Sequence, residues 1–69
     1  MKVVFRKLEG DIIALFPNDI FDSKGNITSY MHIGQHGGAS PELINKLPKA
    51  MPSEYKELAK ELKAIGYKI

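Results

Sequence analysis

The N-terminal part of the chain alternates between apolar runs and turn residues. Residues 2–8 are rich in β-branched and aromatic side chains, which suit a half-buried strand. A Glu-Gly-Asp turn signal follows at residues 9–11. The wholly apolar run 12–16 is short, and its length favours a central strand covered on both faces over a helix. The pattern predicts a β-hairpin that ends at Pro17, because proline cannot donate to a strand ladder.

A loop and a third strand are predicted next. Residues 17–26 are dense in turn formers, and Ile20 and Phe21 within them are expected to fold back over the core. Residues 27–33 alternate between apolar and polar side chains, which predicts a strand with one apolar face. The other face of this strand is predicted to be polar and to carry Thr28, Tyr30 and His32.

The glycine-dense segment 34–38 predicts a loop that leads into a first helix. Ser40 is a preferred N-cap and Pro41 is favoured at the first helical position, so the helix is expected to begin there. Pro48 stops this helix after a few residues. Its inward side chains are expected to be Leu43, Ile44 and Leu47.

A second helix is the clearest element of the pattern. It begins at the Met-Pro-Ser sequence of residues 51–53, and Gly66 stands where a left-handed C-cap is expected. Residues 67–69 then predict a short final strand. The apolar positions of the helix recur at helical spacing and form one stripe of Tyr55, Leu58, Ala59, Leu62 and Ile65.

These elements predict an α+β fold in the order β-β-β-α-α-β. We expect a single small domain over residues 1–69, with an antiparallel sheet of three or four strands and two helices on one face. A domain of this size buries a small core, which leaves little room for a catalytic pocket and argues against an enzyme. The chain has no Cys and no apolar run of the ~18 residues that a membrane span needs. It shows no secretory leader, so the cytoplasm is the expected location.

The charge pattern argues against nucleic acid as the main partner. The formal net charge is +2, Arg6 is the one arginine, and the last helix has three Lys and three Glu on its outer side. A nucleic-acid binder instead clusters its basic residues on one face. A weak nucleic-acid binder stays as an alternative, because Lys2, Arg6 and Lys7 lie near Phe5 in sequence and Tyr30 is expected to be exposed.

The unusual segment of the chain is residues 30–38, which holds both histidines and half of the six glycines. His32 and His36 are four residues apart, so a strand places them on one face, as metal ligation requires. A third protein ligand is not evident. No metal or cofactor is therefore expected, and these two histidines are the candidates if a metal does bind.

A phosphate or other small ligand is a further alternative for this segment. A strand, a glycine-rich loop and a helix start at Ser40 follow one another, which is the layout of phosphate-binding loops. The Lys-Ser/Thr pair of the Walker pattern is absent after Gly38, where Ala39 and Ser40 follow. The glycines are equally well explained by a tight turn.

Protein binding is the function that the segment favours. Its side chains are aromatic or polar with low charge, the composition of interface cores, and an open sheet edge can add a strand. The sequence therefore predicts a non-enzymatic binding or regulatory module that acts through the Tyr30–Gly38 surface, with another protein or a second copy as partner, so a dimer is one expected form. The candidate contact residues are Tyr30, His32, Gln35, His36, Gly37 and Gly38.

The string Tyr-x-His-x-Gly-Gln-His-Gly at residues 30–37 resembles a group of short uncharacterised proteins found in bacteria and their phages or mobile elements. Tyr-Lys-Glu-Leu at 55–58 and Ile-Gly-Tyr at 65–67 extend the similarity over nearly the whole chain. The resemblance implies no activity, ligand or catalytic residue. It implies a context, that of a cytoplasmic accessory protein encoded by a phage or mobile element.

Overall fold

A four-stranded antiparallel sheet forms the centre of the protein, with its strands in the order β1-β2-β3-β4. The computed structural model describes residues 2–31 and 35–68. The predicted α+β class is confirmed. The elements are β1 (Val4–Leu8), β2 (Asp11–Ile20), β3 (Ile27–Met31), β4 (Gln35–Ala39), α1 (Leu43–Lys46) and α2 (Pro52–Ala64).

The fourth strand comes from the glycine-dense segment, so the observed order is β-β-β-β-α-α. The predicted loop over 34–38 is wrong in this respect, because β4 pairs with β3 in continuous register from Ile27↔Ala39 to Met31↔Gln35. The predicted final strand is also wrong, since residues 67 and 68 are not part of the sheet. Residues 32–34 and 69, to which the third and final predicted strands extended, lie outside the described residues.

Strand β2 continues past Pro17, contrary to the prediction that it ends there. Its pairing with β3 passes from Phe16↔Thr28 directly to Ile20↔Ile27, so a bulge takes up residues 17–19. The bulge leaves Pro17 without a paired residue in β3, and its missing N–H therefore costs no ladder hydrogen bond.

The two helices cover opposite faces of the sheet, which corrects the prediction of one face. Leu58 and Leu62 of α2 pack with Ala14, Phe16 and Tyr30. On the other face, α1 and the residue that follows it supply three half-buried side chains to a second cluster; that cluster contains Ile13, Leu15, Ile27 and Ala39, with Leu43, Ile44 and Leu47 against it. Consecutive apolar residues in β2 point to alternate faces, so both faces need a cover.

The chain passes from one face to the other along the outer edge of β1. Arg6 forms an isolated bridge with Lys49. The Lys7 N–H donates to the Pro48 carbonyl at 2.9 Å, and the Ala50 N–H donates to the Phe5 carbonyl at 3.2 Å. These bonds close the edge of β1.

The Arg6 side chain fixes the end of α1 against the same strand. Its Nε donates to the Ile44 carbonyl at 2.8 Å, and its Nη1 donates to the Phe5 carbonyl at 3.0 Å. Helix α1 is a single turn whose N-cap is Glu42, and the Ser40 hydroxyl accepts from the Glu42 N–H at 3.3 Å instead of capping the helix. The predicted stop before Pro48 is confirmed.

Helix α2 begins at Pro52 as predicted, with Met51 as N-cap. The Glu54 carboxylate accepts from the Met51 N–H at 2.8 Å and forms an ion pair with the Lys7 ammonium at 2.7 Å. Within the predicted apolar stripe, Leu58 and Leu62 are buried and Tyr55 and Ala59 are half-buried. Ile65 is 51% exposed, so it does not belong to the core.

Leu62 tests the packing of α2 on the sheet, since its side chain is fully buried. Leu62→Ala is expected to lower the free energy of unfolding by about 2–5 kcal/mol, because it leaves a cavity. Leu62→Asp is expected to abolish the cooperative thermal transition. The matched control is Ile65→Ala at the exposed end of the helix, with a change of about 0.5 kcal/mol or less. Equal losses at the two positions, measured by circular dichroism, would contradict this packing.

Glu54 is expected to make stability depend on pH in the acid range. The hydrogen bond from Lys7, followed by that from the Met51 N–H, holds the pKa of Glu54 below its ordinary value of 4.5. A lowered folded-state pKa adds stability above the ordinary pKa, and this stability is lost as the pH falls through the folded value. The melting temperature should therefore fall below pH 4.5, and less steeply in Glu54→Gln. Glu57→Gln, on the next turn, should keep the wild-type slope.

Candidate functional site

The segment singled out by the sequence forms the free edge of the sheet. Strand β4 pairs with β3 on one side. Within residues 2–31 and 35–68, no backbone hydrogen bond reaches β4 from its other side. The opposite edge, at β1, is closed by residues 48–50. The two edges of the sheet therefore differ in their capacity to pair with a further strand.

The side chains of β4 do little to block that edge. Gln35, His36 and Gly38 are exposed, and Gly37 is half-buried. Natural edge strands are usually protected by lysine, proline or a bulge. The sequence Gln-His-Gly-Gly-Ala contains neither lysine nor proline, and its register with β3 has no shift.

Tyr30 is a core residue and not a surface contact, which corrects the sequence prediction. Its side chain is 1% exposed, because α2 covers the face of β3 that was expected to be polar. Its hydroxyl donates a hydrogen bond to the Glu61 carboxylate. Its ring meets the His36 imidazole edge to face, with ring centroids 4.7 Å apart. The buried Tyr30 ring therefore packs against His36 from the core side.

His36 is held at the surface by Tyr67. The imidazole Nε2 lies 2.7 Å from the Tyr67 hydroxyl, within hydrogen-bond distance. The Tyr67 ring in turn stacks on Phe16, with centroids 4.9 Å apart. The exposed imidazole thus rests on a column of aromatic rings that reaches into the core.

The end of α2 places Tyr67 in this column. Gly66 has φ +111°, which confirms the predicted left-handed cap. The Gly66 N–H donates to the Lys63 carbonyl at 3.2 Å, and the Tyr67 N–H donates to the Leu62 carbonyl at 3.0 Å. These two bonds are those of a Schellman motif, which turns the chain back across the end of the helix.

Phe21 lies over Gly38, and this contact requires glycine. A Cβ atom built at Gly38 would stand 2.6 Å from Cδ2 of the Phe21 ring. Phe21 is nevertheless 50% exposed, so one side of the ring faces the strand and the rest faces solvent. The prediction that Ile20 and Phe21 fold back over the core is wrong, since Ile20 is 76% exposed and the Phe21 ring lies on β4.

The turn after Phe21 is fixed by Asp22. One carboxylate oxygen accepts from the Lys24 and Asn26 N–H groups at 2.9 and 3.2 Å, and the other accepts from the Asn26 amide at 2.9 Å. The Asn26 side-chain hydrogen bond is the main reason that the pKa of Asp22 lies below its ordinary value. The Phe21 N–H donates to the Asn26 carbonyl at 2.8 Å, which closes the turn and orients the ring.

This geometry gives little support to a site for a metal, a phosphate group or nucleic acid. His32 and Gly34 lie outside the described residues, so their part in a site stays a prediction. Among the residues that are described, no group of three or more His, Cys, Asp or Glu side chains could hold a metal. The expected phosphate loop is not formed over residues 35–39, because these residues are a paired strand. The basic patch of the nucleic-acid alternative is also not formed, since Arg6 and Lys7 bind other parts of the chain.

Sequence reasoning missed Glu61 and Tyr67, which join the segment from 31 residues away along the chain. The one available signal was Gly66, since a left-handed cap returns the next residue toward the helix. In the described part of the chain, no helix is long and apolar enough to cross a membrane. No protein-family model matches the chain, and searches of curated proteins and of solved structures found no match.

The candidate site is therefore interpreted from its own geometry. We use the name β4 surface for the exposed and half-buried residues that surround the free edge. It consists of Phe21, Gln35, His36, Gly38 and Tyr67.

The Phe21–Gly38 contact can be tested by a double-mutant cycle. Gly38→Ala is expected to lower the free energy of unfolding by about 1–3 kcal/mol, because the new methyl group collides with the ring. The same substitution in a Phe21→Ala background should cost much less. Chemical denaturation of the four proteins gives the coupling.

Gly37→Ala is the matched control, since a Cβ there meets only the Ser29 hydroxyl oxygen at an ordinary 3.8 Å. This variant should be neutral or more stable by about 0.5–1 kcal/mol, because alanine loses less chain entropy than glycine. A Gly38→Ala cost that is unchanged without the Phe21 ring would show that the contact does not determine the choice of glycine.

Proposed function

We propose that the protein is a non-enzymatic binding module that adds an extended segment of a partner protein to the free edge of β4. The observation that carries the proposal is the difference between the two sheet edges: residues 48–50 close β1, whereas no backbone group of the described residues pairs with the outer side of β4. Strand addition derives its affinity from main-chain hydrogen bonds and its specificity from pockets for alternate side chains.

The β4 surface favours a particular pattern in the partner strand. On the face covered by α2, the added strand would run beside Phe21, His36 and Tyr67, whose rings suit an aromatic or aliphatic side chain. On the other face it would run beside Gln35 and the small Gly37 and Ala39. We therefore expect a partner segment with large apolar residues at alternate positions and few charges.

Rigidity supports the same proposal. The imidazole of His36 is held by Tyr67 and packs on Tyr30, and the Phe21 ring is oriented by the Asp22 turn. Preorganised side chains lose little conformational entropy on binding. Four of the contact residues named from the sequence stay in the proposal, namely Gln35, His36, Gly37 and Gly38. Phe21 and Tyr67 take the place of Tyr30, and the part of His32 stays a prediction.

The biological setting belongs to the proposal as well. The resemblance of residues 30–37 to short proteins of bacteria and their phages favours a cytoplasmic accessory protein that binds a partner and catalyses no reaction. The small size of the core supports the absence of an active site.

Peptide display tests the proposal directly. A random peptide library selected on the immobilised protein should yield uncharged sequences with apolar residues at alternate positions. Added to isotope-labelled protein, such a peptide should slow amide hydrogen exchange in residues 35–39 and shift the signals of Phe21 and Tyr67. Peptides that bind while leaving β4 exchange unchanged would overturn the assignment of this edge.

A charged edge should abolish the binding. Gln35→Lys with His36→Lys is expected to weaken a selected peptide at least tenfold, since lysine on an edge strand opposes pairing. The matched control is Asn18→Lys with Asn45→Lys, which adds the same charge at exposed positions away from β4. Equal affinities for the two double variants would contradict strand addition at β4.

A further inference from the structure

The charges of α2 are separated into two stripes, although the sequence composition predicts a neutral outer side. At about 100° per residue, the three glutamates cover about 60° of the helix circumference and the three lysines cover another 60°. The two stripes are Glu54, Glu57 and Glu61, and Lys56, Lys60 and Lys63.

The acidic stripe is largely engaged within the protein, and the basic stripe is not. Glu54 binds Lys7 and the Met51 N–H, and Glu61 accepts from Tyr30. The three lysines of the basic stripe are exposed. In the described part of the chain, they form no ion pair and no hydrogen bond. Three positive charges therefore remain available to an external anion.

This arrangement costs helix stability. Lys56 and Lys60 are an i,i+4 pair of like charge, and Lys60 and Lys63 are an i,i+3 pair. Each such pair is unfavourable in an isolated helix, and across the two stripes only Glu57 and Lys60 form an opposite-charge pair at this spacing. A polyanion that lies along the stripe would turn this repulsion into attraction.

The lysines border a groove with an apolar and aromatic floor. Its volume is about 500 Å³, and Tyr55 and Ala59 line it on one side of the lysine stripe. Tyr55 stacks on Phe5 of β1 with ring centroids 4.2 Å apart and an interplanar angle of 9°. A second groove of about 190 Å³ shares Tyr55, Ala59 and Lys63 and continues toward β1. The Tyr55 ring is half-buried, so part of it is accessible from the groove.

We infer that this groove, which we call the lysine groove, binds a single strand of nucleic acid through its phosphates and bases. The lysines are about 6 and 4.5 Å apart along the helix axis. This spacing suits an anion with closely repeated charges better than a single ion. The ring of Tyr55 beside them offers a stacking surface to a base, the combination that single-strand binders use. An acidic polypeptide would satisfy the lysines but would leave the aromatic floor without a matching group.

Fluorescence anisotropy with a labelled oligothymidylate tests the inference on the intact chain. With three phosphate contacts, log Kobs should fall with log salt at a slope of about −2, so the affinity should drop about 20-fold between 50 and 200 mM salt. Lys56→Gln with Lys60→Gln and Lys63→Gln should remove the binding. Lys24→Gln with Lys46→Gln and Lys49→Gln, which lowers the net charge equally at exposed positions elsewhere, should retain it within about threefold. Equal losses in both triple variants would overturn the inference.

The aromatic floor is tested by Tyr55→Leu. Loss of base stacking should weaken the oligothymidylate at least about fivefold. Binding of inorganic polyphosphate, which has the charges and no bases, should change little, and this comparison separates stacking from a general loss of structure. Competition by polyglutamate as effective as that by oligothymidylate would overturn the choice of nucleic acid. The β4 double variant leaves α2 unaltered and adds two positive charges, so it should bind oligothymidylate at least as tightly as the wild type.

Discussion

The rest of the structure depends on the apolar character of β2 on both of its faces. Residues 13–16 are all buried, and their side chains alternate between the two sides of the sheet. Each side therefore needs a cover, and the chain supplies α1 to one and α2 to the other. To do so it must cross an edge of the sheet. It crosses at β1, where residues 48–50 pair with the strand, so the edge left unpaired by residues 2–31 and 35–68 is that of β4.

The character of that edge follows from residues that serve other elements. The Schellman motif at Gly66 ends α2 and also brings Tyr67 to His36. The Asp22 turn joins β2 to β3 and also holds Phe21 over Gly38. The side chains at the edge are thus oriented by the framework and not by β4 itself. The lysine groove has a similar origin, since the stacking of Tyr55 on Phe5 that joins α2 to the sheet also forms its floor.

Local signals predicted the elements that local interactions determine. The β1–β2 turn, the start of α2 at Pro52 and the cap at Gly66 all follow from the preferences of a few adjacent residues. The errors lie where distant pairing decides. Pro17 stays in β2 because a bulge relieves it, and the glycines of β4 become a strand because β3 offers a partner. The prediction that Tyr30 is exposed is wrong for the same reason. No neighbouring residue in the sequence indicates that α2 covers Tyr30 or that Glu61 accepts a hydrogen bond from its hydroxyl.

The sequential order of the four strands favours rapid folding of the sheet. Every strand pairs with its neighbour along the chain, so the sheet is assembled from contacts of short sequence separation, which is the condition for fast folding. The contacts that span long stretches of chain are those of the two covers and of residues 48–50 with β1. During synthesis the strands emerge before both helices. The nascent sheet would then expose two apolar faces until α1 and α2 have packed on them, and the edge of β1 would stay open until residues 48–50 pair with it.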